Sequence, residues 1–313
     1  MIETTLPDLD SWVAYLSEHE IPVLRHTARQ LEGLAQDLDR INGRDVSAVA
    51  LHDPLMTVRV LAYIQPYRGK RLQGEITTVE QAVMMLGIEP FFRHFHNVLV
   101  VEDTLKAHPQ ALLGLLHVAR RAQRASRYAY DWALWRHDLN AEEVRIAALL
   151  HDLAEILLWC FAPHLALEIQ ARQRGDRTLR SAAVQQEVLG IQLIELQQAL
   201  CHAWALPDLL PRLMDDQHTN HPRVRNVVLA VNLARHSANG WDDAALPDDY
   251  AAIGELLNLT PEAVRARVGA PPPDDGTGEG DGNDGDSGGD GGTPDSAAAS
   301  QNGTEPPPPS QPQ

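Results

Sequence analysis

From Thr27, the apolar residues Leu31, Leu34, Leu38 and Ile41 follow at alternating spacings of four and three, the stripe of an amphipathic helix. The same period runs through nearly the whole chain. A sequence that offers helical stripes and almost no alternating strand text can bury its apolar surface only by packing helix on helix. Start signals punctuate the period. Asp53 precedes Pro54, an N-cap followed by proline at the first helical position. Thr78 and Gln81 form a capping box that Gly87 closes. Asn140 with Glu143 opens the helix that carries His151, and Thr260-Pro261-Glu262 opens the last one. Val98–Val101 is a short, isolated apolar run, too brief to argue for a sheet. The predicted fold class is all-α.

Composition sets the limits of that fold. The segment Pro271–Gln313 has no Leu, Ile, Val, Met, Phe, Trp or Tyr, holds ten of the 21 Gly and nine of the 21 Pro, and carries nine acids and no base. Such a segment cannot bury enough apolar surface to offset chain entropy, so a disordered acidic tail is expected over 269–313. About 270 residues remain, enough for two helical lobes with a sizeable core. The expected division falls at His108-Pro109, giving an N-terminal lobe over 1–108 and a second lobe over 109–268. The formal charge of −17 becomes −8 once the nine tail acids are set aside, which opposes broad attraction to nucleic acid or anionic lipid. The start is acidic and lacks the features of a signal peptide. The most apolar stretch, Ile146–Pro163, contains His151, Asp152 and Glu155, which suits a buried helix better than a membrane span. Cys160 and Cys201 sit in Leu-rich text and read as reduced core residues of a cytoplasmic protein.

The chemistry-bearing residues concentrate in Leu149-Leu150-His151-Asp152-Leu153-Ala154-Glu155. Adjacent His and Asp in apolar text are costly to bury unless paired or bound to a metal. Glu155, four residues after His151, is expected on the same helix face. His117 lies in Leu115-Leu116-His117-Val118-Ala119, where a satisfied core histidine competes with a ligand. His218 and His221 read as an exposed loop, Trp132 and Trp135 as packing or partner surface, and Arg120, Arg121, Arg124 and Arg127 as a basic stripe on a solvated face.

These residues carry a resemblance. Leu149-Leu150-His151-Asp152-Leu153 looks like the motif of the HD superfamily of metal-dependent phosphohydrolases, and its context resembles the HDOD family, the HD-related output domain of bacterial signalling. Leu51–Leu61, Thr78–Gly87, Leu116–Ala119 and Trp204-Ala205-Leu206-Pro207 agree with that family in the same order, so the resemblance covers roughly residues 15–245. It implies an HD-like second lobe in which His117, His151 and Asp152 are the metal candidates. The chain also departs from the pattern. Asn232 stands where the closing Asp is expected, Leu193 stands where metal-richer relatives place a further His, and Gln217-His218 replaces a His pair. Glu155 puts an anion where active relatives have a Lys that can meet phosphate. Gln65-Pro66 replaces a pair that relatives often write Asn-Ser.

The resemblance with these losses implies a non-catalytic signalling or regulatory module that works through a protein partner or a conformational relay, with no membrane or nucleic-acid partner. On this reading no cofactor is needed, and a divalent metal is the one the site could hold. The alternative is a metal-dependent phosphohydrolase acting on a nucleotide or cyclic dinucleotide, with Glu155 or His218 replacing lost ligands. A nucleic-acid-binding regulator would rest on the Arg stripe alone. For His151–Asp152 a structural polar clasp, residual metal binding and catalysis all remain open, and His117 is the expected partner of the clasp.

Overall fold

The computed structural model describes residues 1–67, 75–176 and 180–272. The expected disordered tail lies outside the described residues from position 273 onward. Seventeen α-helices follow one another among the described residues. The first are α1 (Leu9–Glu18), α2 (Arg25–Leu34), α3 (Gly43–Ala50), α4 (Pro54–Ile64), α5 (Val79–Leu86), α6 (Ile88–His94) and α7 (Val101–Thr104). Then come α8 (Pro109–Trp135), α9 (Ala141–Leu150), α10 (Leu153–Phe161), α11 (Pro163–Gly175), α12 (Ser181–Leu189) and α13 (Leu193–Ala203). The last are α14 (Leu209–Leu213), α15 (Pro222–His236), α16 (Leu246–Leu257) and α17 (Pro261–Val268).

Local chemistry accounts for most of the boundaries. The fully buried Asp53 carboxylate caps α4 by accepting from the Leu55 and Met56 amides, and it also takes the Leu24 N–H at 2.8 Å, which ties the start of α2 to α4. Burial raises the Asp53 pKa, partly offset by these hydrogen bonds. The Thr78–Gln81 capping box forms, and Gly87 ends α5 at φ 84°, a left-handed conformation that favours glycine. Thr260 caps α17. The Leu31-to-Ile41 stripe is broken, because α2 ends at Leu34 and the chain turns through Ala35–Arg40 into the Asn42 capping box of α3. Leu34, Leu38 and Ile41 still pack on the core, so the apolar period outlasts the helix. Asn140 precedes α9 without a side-chain cap. Instead, Glu143 accepts from Thr77 and Arg223, and Asp138 pairs with Arg223.

The helices pack as two lobes within one compact unit, Met1–Pro272. In the first lobe α3, α4, α5 and α6 pack on one another, and in the second α9, α10 and α15 surround the 27-residue α8. The Val98–Val101 run forms no sheet. It makes one parallel bridge, in which Val23 N–H donates to Leu99 C=O and Val101 N–H to Val23 C=O. Although α1 is first in the chain, it packs against α13 of the second lobe, and Ile2 N–H reaches Phe161 C=O at 2.7 Å. The stretch Ile146–Pro163 lies in the core except at His151, Asp152 and Glu155, and the path turns by 116° into α11. Among the described residues no single helix is long and apolar enough to cross a membrane. Cys160 and Cys201 are buried and free, and burial pushes the Cys201 thiol up to about 12.

Candidate functional site

His151 and Asp152 do not lie within one helix. They form the joint where α9 stops and α10 starts, so Glu155 is in the first turn of α10 rather than further along the helix that ends at Leu150. The joint frees backbone groups that a continuous helix would pair. Gln197 of α13, itself buried, takes them up: its Nε2 donates to Leu150 C=O at 2.5 Å and its Oε1 accepts from Ala154 N–H at 2.8 Å. The approach of α8 is set by Gly114, where a methyl group would stand 2.6 Å from the Trp159 ring of α10.

At this joint, α8 presents Arg121, not His117. Arg121 Nη2 donates to Asp152 Oδ2 at 2.6 Å and to Glu155 Oε2 at 2.8 Å, and its Nε adds a bond to Asp152 at 3.1 Å. His151 lies between two carboxylates, with Nδ1 3.0 Å from Asp152 Oδ1 and Nε2 3.0 Å from Asp216 Oδ1. Carboxylate oxygens only accept, so a ring facing one on each side donates twice and is an imidazolium. Burial alone would depress the His151 pKa, but its two acidic partners outweigh burial and raise it to about 9. Asp152 is held well below the usual carboxylate range, because Arg121, His151 and Arg235 together overcome the cost of its burial. Arg235 Nη2 of α15 stands 3.7 Å from Asp152 Oδ1.

These placements correct several expectations. His117 is exposed and does not line the cavity beside the joint, so it is not the clasp's partner. Asn232 does not line that cavity either. At both positions the group that reaches Asp152 lies one helical turn further on, Arg121 after His117 and Arg235 after Asn232. The basic stripe divides: Arg120 and Arg127 are exposed, whereas Arg121 is ion-paired and Arg124 donates to Ser237 C=O. His218 and His221 are both exposed, as expected for a loop. Trp132 is buried, and Trp135 is 46% exposed beneath the Arg267 guanidinium.

The donor set does not suit a divalent cation in this arrangement. Both His151 nitrogens face carboxylates, and Asp152 already has two guanidinium groups, which bring the charge that one divalent ion would bring. Among the described residues, no group of three or more His, Cys, Asp or Glu is arranged to hold a metal.

A signal for Arg121 was present in the sequence. With Gly114, Val118 and Ala125 it occupies the inner face of α8, whose other members are small or apolar and buried, and a cation placed there needs a partner. Gln197 and Asp216 have no comparable local signal, since each meets the joint across more than 40 residues of sequence. The cavity beside the joint has a volume of about 580 Å³ and is walled by parts of α8, α10, α11, α12, α13 and α15 and by the Asp215–Gln217 turn.

The HDOD domain family model matches residues 21–220. Among solved structures, the chain is similar to the response regulator MmoQ from Methylococcus capsulatus str. Bath, at 19% identity and a TM-score of 0.62, over 81% of this chain and 99% of that one. It is also similar to a virulence factor from Campylobacter jejuni subsp. jejuni, at 19% identity and a TM-score of 0.60, over 83% of this chain and 97% of that one. At such identities the likeness is one of fold. No curated protein matches the chain.

Proposed function

This chain belongs to the HDOD domain family, and from that membership we propose that it is a non-catalytic signalling module that works by binding a protein partner. The observation that carries this reading is the Arg121 guanidinium, paired with both Asp152 and Glu155 where hydrolysis would require a metal and its bound water. The pairs Asp216–His151–Asp152–Arg121–Glu155 form one hydrogen-bonded ladder from the Asp215–Gln217 turn through the α9–α10 joint to α8. Asp216 is the solvent-facing rung, with 52% of its side chain exposed. A partner that drew Asp216 away would leave His151 with one carboxylate and alter the charge balance at α8. The ladder therefore offers a path from the surface to the core of the second lobe.

The test is hydrolytic. Purified chain is incubated with Mn²⁺ and, in turn, nucleoside triphosphates, a cyclic dinucleotide and bis-p-nitrophenyl phosphate. The expected outcome is no metal-dependent turnover above that of Asp152→Ala. Turnover that Asp152→Ala abolishes would restore the phosphohydrolase reading.

A further inference from the structure

The cavity beside the joint has an unusual wall. Among the described residues six glutamines line it, and of these Gln197 is spent on the fold. Among the described residues, the side-chain amides of Gln170, Gln173, Gln185 and Gln198 have no hydrogen-bonding partner. An amide offers a donor and an acceptor side by side, so several of them facing one space suit a ligand that presents the same alternation along its length. Below them lies an apolar floor of Leu158, Trp159, Ile169 and Leu193, with Ile194 exposed at the rim.

Charge narrows the ligand further. Among the described residues the lining holds four carboxylates, Asp152, Glu155, Asp215 and Asp216. Its cationic groups, Arg121, Arg235 and His151, are all directed at these carboxylates. Among the described lining residues a phosphate would find no uncommitted cation, and it would be repelled by Glu155 and Asp216. A peptide main chain carries no net charge and alternates N–H and C=O. An aliphatic side chain suits the floor, and a Lys or Arg beside it suits the exposed carboxylate of Asp216.

We infer that this cavity binds an extended peptide segment of a protein partner, one that pairs an aliphatic side chain with a neighbouring Lys or Arg. The inference rests on the partner-binding reading above and names the surface and the chemistry of the partner.

The probe is a phage-displayed library of random dodecapeptides selected on the full chain, with the enriched peptides resynthesised and their binding measured by fluorescence polarisation. Enriched sequences are expected to place Lys or Arg within two positions of an aliphatic residue. Their binding is expected to weaken at least tenfold in the double variant Gln170→Ala/Gln198→Ala and about threefold in Asp216→Asn. Gln198 is exposed and Gln170 half-buried, so the double variant is expected to fold, which thermal unfolding checks; Ile194→Glu, an exposed rim change, gives a second reading. The inference is overturned if nothing is enriched, if acidic peptides are, or if the enriched peptides bind all the variants as tightly as the unaltered chain. It is also overturned if a mononucleotide or cyclic dinucleotide, rather than a peptide, shows the glutamine dependence. A protein partner that still binds Gln170→Ala/Gln198→Ala would remove the cavity assignment and leave the module reading intact, whereas only Asp152-dependent hydrolysis removes the latter.

Discussion

Arg121 holds two carboxylates on one guanidinium, and its side chain is only 18% exposed. Removing it leaves Asp152 and Glu155 facing each other with less compensation in a partly dry setting, and cutting one member from such a pair costs about 3 kcal/mol. Arg121→Met is therefore expected to lower unfolding free energy by about 3 kcal/mol in urea titrations, and Glu155→Gln in the same background is expected to recover part of the loss. Had Arg121 been a solvated stripe residue, Arg121→Met would change stability no more than Arg120→Met. His151 gives a pH signature. Its pKa in the folded chain is raised to about 9, above the ordinary value of about 6.5, so its stabilising contribution is complete below about pH 6.5 and is lost as pH rises through about 9. With chelator present, the stability gap between the unaltered chain and His151→Gln is expected to close between about pH 6 and about pH 10. A gap that widens with pH would mean that the ring is neutral in the fold.

Two helix contacts hold the joint, and each has its own prediction. Gly114 lets α8 approach α10 so closely that an added methyl would overlap the Trp159 ring, and Trp159 is itself buried in the core. Gly114→Ala is expected to cost about 1–3 kcal/mol, read as a lowered melting temperature. Gly33 of α2 has nothing within 4 Å of the corresponding position, so Gly33→Ala is expected to stabilise by up to about 1 kcal/mol. The two substitutions are chemically identical and opposite in sign, and only the packing separates them. Gln197→Ala would leave the Leu150 carbonyl and the Ala154 amide unpaired, at about 1–3 kcal/mol. At this scale the sequence was readable where the cause was local. The Asp53, Thr78 and Thr260 caps form where their side chains predict them. It was unreadable where a distant group intervened. Neither the split at His151–Asp152 nor its repair by Gln197 leaves a mark in the apolar period, and the end of α2 at Leu34 is hidden because Leu38 and Ile41 remain apolar for packing alone.

For the whole molecule, the helical period and the family resemblance were enough to give the fold class, because packing stripe on stripe leaves few other solutions. The site was only half legible: the positions of His151 and Asp152 were evident, but their cationic partners depend on which turn of α8 and α15 faces the joint. Pro273–Gln313 contributes no large apolar side chain, so a chain ending at Pro272 is expected to unfold at the same denaturant midpoint as the full chain. A lower midpoint would show that the acidic segment does stabilise the rest. The seat of α1 on α13, with Ile2 bonded to Phe161, has a topological result. Both α1 and α8 pack on helices of the second lobe, and α2–α7 lie between them in sequence. Helices α2–α7 thus sit between two segments seated on helices of the second lobe, and exchanging them for those of a relative would leave both junctions there.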